Sequence, residues 1–73
     1  MEEEIEISTE YIPLGQFLKL ANILESGGMV KVYLQENGVY VNGELETRRG
    51  RKLYPGDKVS VEEIGTFTVT SST

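Results

Sequence analysis

Residues 29–43 read Met-Val-Lys-Val-Tyr-Leu-Gln-Glu-Asn-Gly-Val-Tyr-Val-Asn-Gly, and how their first half folds decides the architecture of the whole chain. Val30, Tyr33 and Leu34 lie on one face of a helix, whereas Val30, Val32 and Leu34 lie on one face of a strand, which their β-branching favours. On the strand reading, Asn37-Gly38 is a hairpin turn. On the helix reading, one of these two is the left-handed residue that ends the helix. The local pattern alone leaves both open. The second half has one reading. Val39 and Val41 share a strand face, Tyr40 points outward, and Asn42-Gly43 is the strongest hairpin signal in the chain. Glu44 to Thr47 returns as the second strand, with Leu45 expected inward.

Upstream, Glu4-Ile5-Glu6-Ile7 alternates as a half-buried strand. Pro13 marks a helix start, and Leu14, Phe17, Leu18, Ala21 and Leu24 form an apolar stripe that predicts a helix over 14–25. Ser26-Gly27-Gly28 breaks it. Downstream, Pro55-Gly56-Asp57 is a turn in which proline presets φ and glycine supplies a positive one. Lys58 to Glu62 and Ile64 to Thr70 read as two further strands. Ser71-Ser72-Thr73 reads as a frayed end, and Glu2-Glu3-Glu4 as an acidic tail. The expected core is Phe17, Leu18, Ala21, Leu34, Val39, Val41, Leu53 and Val59.

The chain has 73 residues, enough for one small domain, 1–73, with a modest core. It has neither cysteine nor histidine. That removes the disulfide and the usual zinc, haem and iron–sulfur ligand sets, and no cofactor or metal is expected. No run reaches the roughly 20 apolar residues of a membrane helix, and the acidic N-terminus is unlike a signal peptide, so a cytoplasmic location is expected. Ser26 has no histidine to activate it, and the chain offers little room for a cleft with an acid–base pair, so catalysis is not expected.

The net charge of −5 is unevenly spread. Residues 1–13 hold five glutamates and no cation, whereas four of the seven Lys/Arg fall within Arg48-Arg49-Gly50-Arg51-Lys52. Such a run suits phosphate neutralisation, with arginine adding a planar fork and Gly50 allowing close approach. Its alternative use is ion pairing with Glu44, Glu46 or the acidic N-terminus. As loop charges, the four are expected to contribute little to stability.

The order of these elements resembles the RNA-binding domain first seen in ribosomal protein S-four, the αL motif. Leu14 and Leu18, the Ser26 break, a helix over Met29 to Glu36, Val39-Tyr40-Val41-Asn42-Gly43 and Gly56-Asp57-Lys58-Val59 match the family pattern, with a family-like core over 14–61. The resemblance implies that Met29 to Glu36 is helical. It implies an α+β fold of two packed helices and a small antiparallel sheet that includes the N-terminal strand. Gly27-Gly28 and the basic run look like the stand-alone bacterial subgroup called YaaA-like, often encoded beside the gene recF. Two features depart from the family: Gly27 stands where an arginine usually follows the serine, and Lys31 is the only basic residue on the second helix.

The function so implied is non-catalytic binding of structured RNA, of the ribosomal or transfer class, without membrane or small-molecule partners. Arg48, Arg49, Arg51 and Lys52 would carry it. Gly27 and Gly28 could expose backbone N–H groups to an anion, and Lys19 and Lys31 could widen the patch. Tyr40 could stack a base, as could Tyr54 beside the basic run. The competing reading is a protein-interaction module, acting near replication, recombination or ribosome-assembly factors, that docks a partner on the acidic N-terminal strand. Sulfur carriers of the β-grasp class share Val-x-Val-Asn-Gly and Gly-Asp. They need a terminal Gly-Gly, and the sequence as it stands ends Ser-Ser-Thr.

Overall fold

A computed structural model describes residues 2–72. Its elements, in chain order, are β1 (Glu2–Ile7), β2 (Ile12–Pro13), α1 (Leu14–Leu20), α2 (Gly27–Glu36), β3 (Val39–Val41), β4 (Glu44–Glu46), β5 (Lys52–Leu53), β6 (Lys58–Val61) and β7 (Gly65–Ser71). The ambiguous segment is therefore a helix. Ser26 caps it, its hydroxyl accepting from the Met29 N–H at 3.2 Å. Val30 and Leu34, one turn apart, are buried, while Val32 is exposed, the reverse of what a strand would require. Gly38 ends the helix at φ +75°, its N–H donating to the Tyr33 carbonyl.

The first helix stops at Leu20, a turn short of the expected 14–25. Ala21 is its C-cap and Asn22 turns left-handed at φ 61°. The Ile23 and Leu24 N–H groups then both donate to the Leu18 carbonyl. That fold-back brings Leu24 against the core without continuing the helix, and Ala21 is only partly buried.

A five-stranded mixed sheet, ordered β1-β7-β6-β3-β4, lies under the helices. Leu14, Phe17, Leu18, Val30 and Leu34 from the helices form one apolar cluster with Val39, Val41, Val59, Val61, Phe67 and Val69 from the sheet. Antiparallel pairing holds except between β1 and β7, which run parallel with Ile5 beside Val69. An all-antiparallel sheet was the expectation. Alternation tells which side chains face the core but not strand direction, and either direction turns Ile5 and Ile7 toward the core. The pairing also ties down both ends. Glu2 to Glu4 are strand residues rather than a loose tail, β7 runs through Ser71, and the Ser72 N–H donates to the Ile7 carbonyl at 2.9 Å. Thr73 lies outside the described residues.

A second expectation is reversed in β4. Its register sets Leu45 opposite Tyr40 on the outer face and Glu46 opposite Val39 on the core face. Leu45 is 58% exposed and Glu46 only 6%. The residues that make a buried glutamate tolerable lie in the loop that follows.

Candidate nucleic-acid interface

The basic run connects β4 to β5, and α1 holds it in place. Pro13 pairs with Lys52 across the two-stranded β2–β5 sheet. Beyond that pair the Leu14 N–H donates to the Arg51 carbonyl at 2.7 Å, and the Gly15 N–H to the Arg49 carbonyl at 2.8 Å. Two amides of the helix's first turn, which have no partner inside the helix, are thus satisfied by the loop. A Cβ at Gly15 would sit 3.1 Å from the Arg49 Cβ and 3.4 Å from Val30, so the loop's approach to the helices depends on that glycine.

Glu46 organises the loop from beneath. Its Oε2 accepts from the Arg48 side chain at 3.0 Å and from the Thr47 and Arg48 backbone N–H groups. Its Oε1 accepts from Arg51 at 2.9 Å and from the second Arg48 nitrogen at 3.2 Å. A carboxylate with five donors is strongly favoured in its charged form. Hydrogen bonds from Arg48 first, then Arg51, bring its pKa down to about 2 despite burial, which opposes the shift. Two of the four expected phosphate ligands are therefore also ion-pair partners. Arg51 is the more enclosed, its side chain 28% exposed, while Arg48 remains 75% exposed. The expectation that all four charges are dispensable for stability fails here: removing Arg48 and Arg51 would strand a buried carboxylate.

The remaining cations face outward. Arg49 lines a concavity of about 160 Å³ with Gly15, Gln16, Lys19, Gly27 and Val30. Lys19 from α1, Arg49 from the loop and the first residue of α2 thus meet at one place. Arg48, Gly50, Arg51 and Lys52 line an adjoining concavity of about 550 Å³. Gly27 and Gly28 open α2 rather than precede it, and no acidic residue occupies its first turn. Lys31 is exposed one turn along α2 from Gly27. Tyr40 is exposed as expected, but it lines a different hollow with Ser60, Glu62, Glu63 and Ile64, where the nearby charge is negative. Sequence reasoning missed Gly15, and it offered Glu46 only as one of several ion-pair partners for the basic run, the use that Arg48 and Arg51 in fact make of it. It also missed Tyr11, which lies 5.9 Å from Tyr54, ring centroid to centroid. The signal for Gly15 was a glycine inside an apolar helical stripe.

The first helix, the capped second helix, the β3–β4 hairpin and the Gly56-Asp57 turn into β6 occur here in the order of the αL motif. A profile of the S4 domain matches residues 5–70. The chain belongs to the S4 domain family. It is accordingly an RNA-binding, non-catalytic domain. It is also similar to a protein of Bacillus subtilis (strain 168) named "Probable ribosome maturation protein RlbA". The two are 56% identical over 69 residues, which cover 94% of this chain and 97% of the relative. Among the described residues, no helix of this S4 domain is long and apolar enough to cross a membrane.

Proposed function

We propose that this S4 domain grips structured ribosomal RNA by its phosphates and acts in ribosome maturation. The observation that carries the reading is the convergence of Lys19, Arg49 and Gly27, from three separate elements, on one concavity. Two cations lining one concavity on a chain of net charge −5 suit an anion bound between them. The opening of α2 adds backbone N–H groups and the positive end of its dipole to the same hollow. Lys52 and the exposed flank of Arg48 would take a neighbouring phosphate, and Lys31 would extend the track. Arg51 serves chiefly as a brace, holding Glu46 and through it the shape of the loop. Contacts of this kind read the A-form backbone by shape rather than by base identity. The maturation role follows the name of the Bacillus relative, and the stand-alone YaaA-like subgroup is the branch of the family that the Gly27-Gly28 pair and the basic run favour.

Titration of a ribosomal RNA hairpin by fluorescence anisotropy at two salt concentrations tests the reading. About three neutralised phosphates give a log–log salt slope of roughly −2.1 to −2.7, a fall in affinity of about 20- to 40-fold between about 50 and 200 mM salt. Lys19→Ala and Arg49→Ala should each reduce the slope by about 1. Equal binding by wild type and the double variant would remove the clamp. The acidic strand β1, an exposed sheet edge, would then favour a protein partner docked by strand addition.

A further inference from the structure

We infer that Tyr11, Tyr54 and Lys52 form a platform on which an unpaired base of the bound RNA stacks, next to the phosphate contacts. The inference rests on the RNA-binding reading and adds to it a requirement on the RNA: a single-stranded nucleotide beside the duplex.

The β2–β5 register creates the platform. Ile12 pairs with Leu53 and both are buried, so the flanking positions of each strand face out. Tyr11 and Tyr54 are those flanks, and Lys52 reaches Tyr11 along the cross-strand diagonal. The two rings are tilted at 44°, so they do not stack face to face and cover each other. They stay 37% and 45% exposed, side by side. The Lys52 ammonium lies 4.9 Å from the centre of the Tyr11 ring. Attraction to the ring holds that charge against the aromatic surface, within reach of the phosphate that a stacked nucleotide carries.

The backbone that carries both rings is held in place. The Tyr54 N–H donates to Asp57 Oδ2 at 2.8 Å, and its carbonyl accepts from the Asp57 N–H at 2.9 Å, closing the Pro55-Gly56 turn. The Thr9 hydroxyl donates to the Tyr11 carbonyl at 2.8 Å. Backbone fixed before binding lowers the entropy lost when a base settles on the rings it carries. Lys52 joins the platform to the basic loop, since it also lines the concavity shared by Arg48, Gly50 and Arg51. Base stacking tolerates any sequence, so the platform would select strandedness rather than base identity.

Two RNA hairpins with the same stem, one blunt and one carrying a short unpaired extension, discriminate the idea. The wild-type protein should prefer the extended hairpin by about 5- to 100-fold, the range of one stacked base. Tyr54→Ala should abolish that preference while leaving affinity for the blunt stem and its salt slope unchanged. Tyr54→Phe should keep the preference. Tyr54→Leu, which retains apolar bulk for packing, should lose it. The chain has four tyrosines and no tryptophan, so quenching of tyrosine emission by the extended hairpin gives a second readout. Equal affinity of the wild type for both hairpins would overturn the platform and leave the phosphate clamp standing. So would a preference that survives in Tyr54→Leu. Failure to bind either hairpin would overturn both.

Discussion

The carboxamide of Asn42 ties two turns together: its Nδ2 donates to Asp57 Oδ1 at 3.0 Å while its Oδ1 accepts from the Lys58 N–H at 2.9 Å. Val-x-Val-Asn-Gly and Gly-Asp, two separate pieces of the family pattern, are the halves of one joint. Asn42 also sits at φ 52°, a conformation asparagine tolerates better than most residues. Asn42→Ala should therefore cost about 1–3 kcal/mol, combining lost hydrogen bonds with backbone strain. A double-mutant cycle with Asp57→Ala, followed by urea denaturation, should show coupling of about 1 kcal/mol. Additive losses would mean that the bond between the two side chains contributes nothing.

Glu46 makes stability depend on pH in a defined window. Its folded pKa of about 2 lies below the ordinary value of 4.5. A depressed carboxylate pKa means that the unfolded chain takes up the proton first. The stabilisation is thus complete above about pH 4.5 and is lost as pH falls toward about 2. Glu46→Gln should lower stability at neutral pH by about 1–2 kcal/mol. Below about pH 4.5 its denaturation midpoint should fall less steeply than that of the wild type. Parallel curves for the two proteins would show that the Arg48–Glu46–Arg51 cluster does not drive the acid response.

Neighbouring arginines in the basic run should separate cleanly. Arg51→Ala removes a brace from a buried carboxylate and should cost about 1–3 kcal/mol. Arg49→Ala touches no ion pair and should change stability by less than about 0.5 kcal/mol while weakening RNA binding. Thermal melts beside anisotropy titrations check the contrast. A matched loss of stability in both variants would contradict the division of labour.

Two glycines should respond to substitution in different ways. Gly38→Ala combines a left-handed φ with a Cβ placed 2.9 Å from Leu45 Cδ1 and 3.1 Å from the Glu46 carbonyl, and should cost about 2–4 kcal/mol. Gly15→Ala gains helix propensity of about 1 kcal/mol but presses on a loop whose carbonyl its own amide holds. Little net change in stability is expected, with Arg49 displaced and RNA affinity reduced. An amide-resolved NMR spectrum of Gly15→Ala should show shifts concentrated over 47–52. Shifts spread evenly over the chain would count against this local contact.

Most of the fold was legible because its signals are local. The Leu14–Phe17–Leu18 spacing, the Asn42-Gly43 hairpin and the Pro55-Gly56-Asp57 turn each act within a few residues. The Met29 to Glu36 segment needed the order of the whole pattern to choose helix over strand. What stayed hidden depended on distant partners. Leu45 is the only apolar residue of its strand, so polarity alone put it inside; the core position went to Glu46 because Arg48 and Arg51 return to neutralise it. The early end of α1 was hidden because Leu24 stays in register with the apolar stripe even after the helix has stopped. In the candidate site, composition located the basic loop but could not divide it into braces and free cations. That division depends on which arginines reach Glu46.

The parallel pairing of β1 with β7 bears on how the chain reaches this state. The hairpin from β3 to β4 closes across Asn42-Gly43, whereas Ile5 must wait for Val69. By the logarithmic dependence of loop closure on length, that meeting costs about 2.5 kcal/mol more in chain entropy than a four-residue closure. Contacts so distant slow folding, and during synthesis β1 is made well before β7, the strand it pairs with. Until β7 is available, Ile5 and Ile7 lack Val69 and Ser71, the residues they sit beside in the folded sheet. A nascent chain stopped short of Gly65 would present β1 as an unpaired strand, its three outward glutamates the main barrier to pairing with another copy.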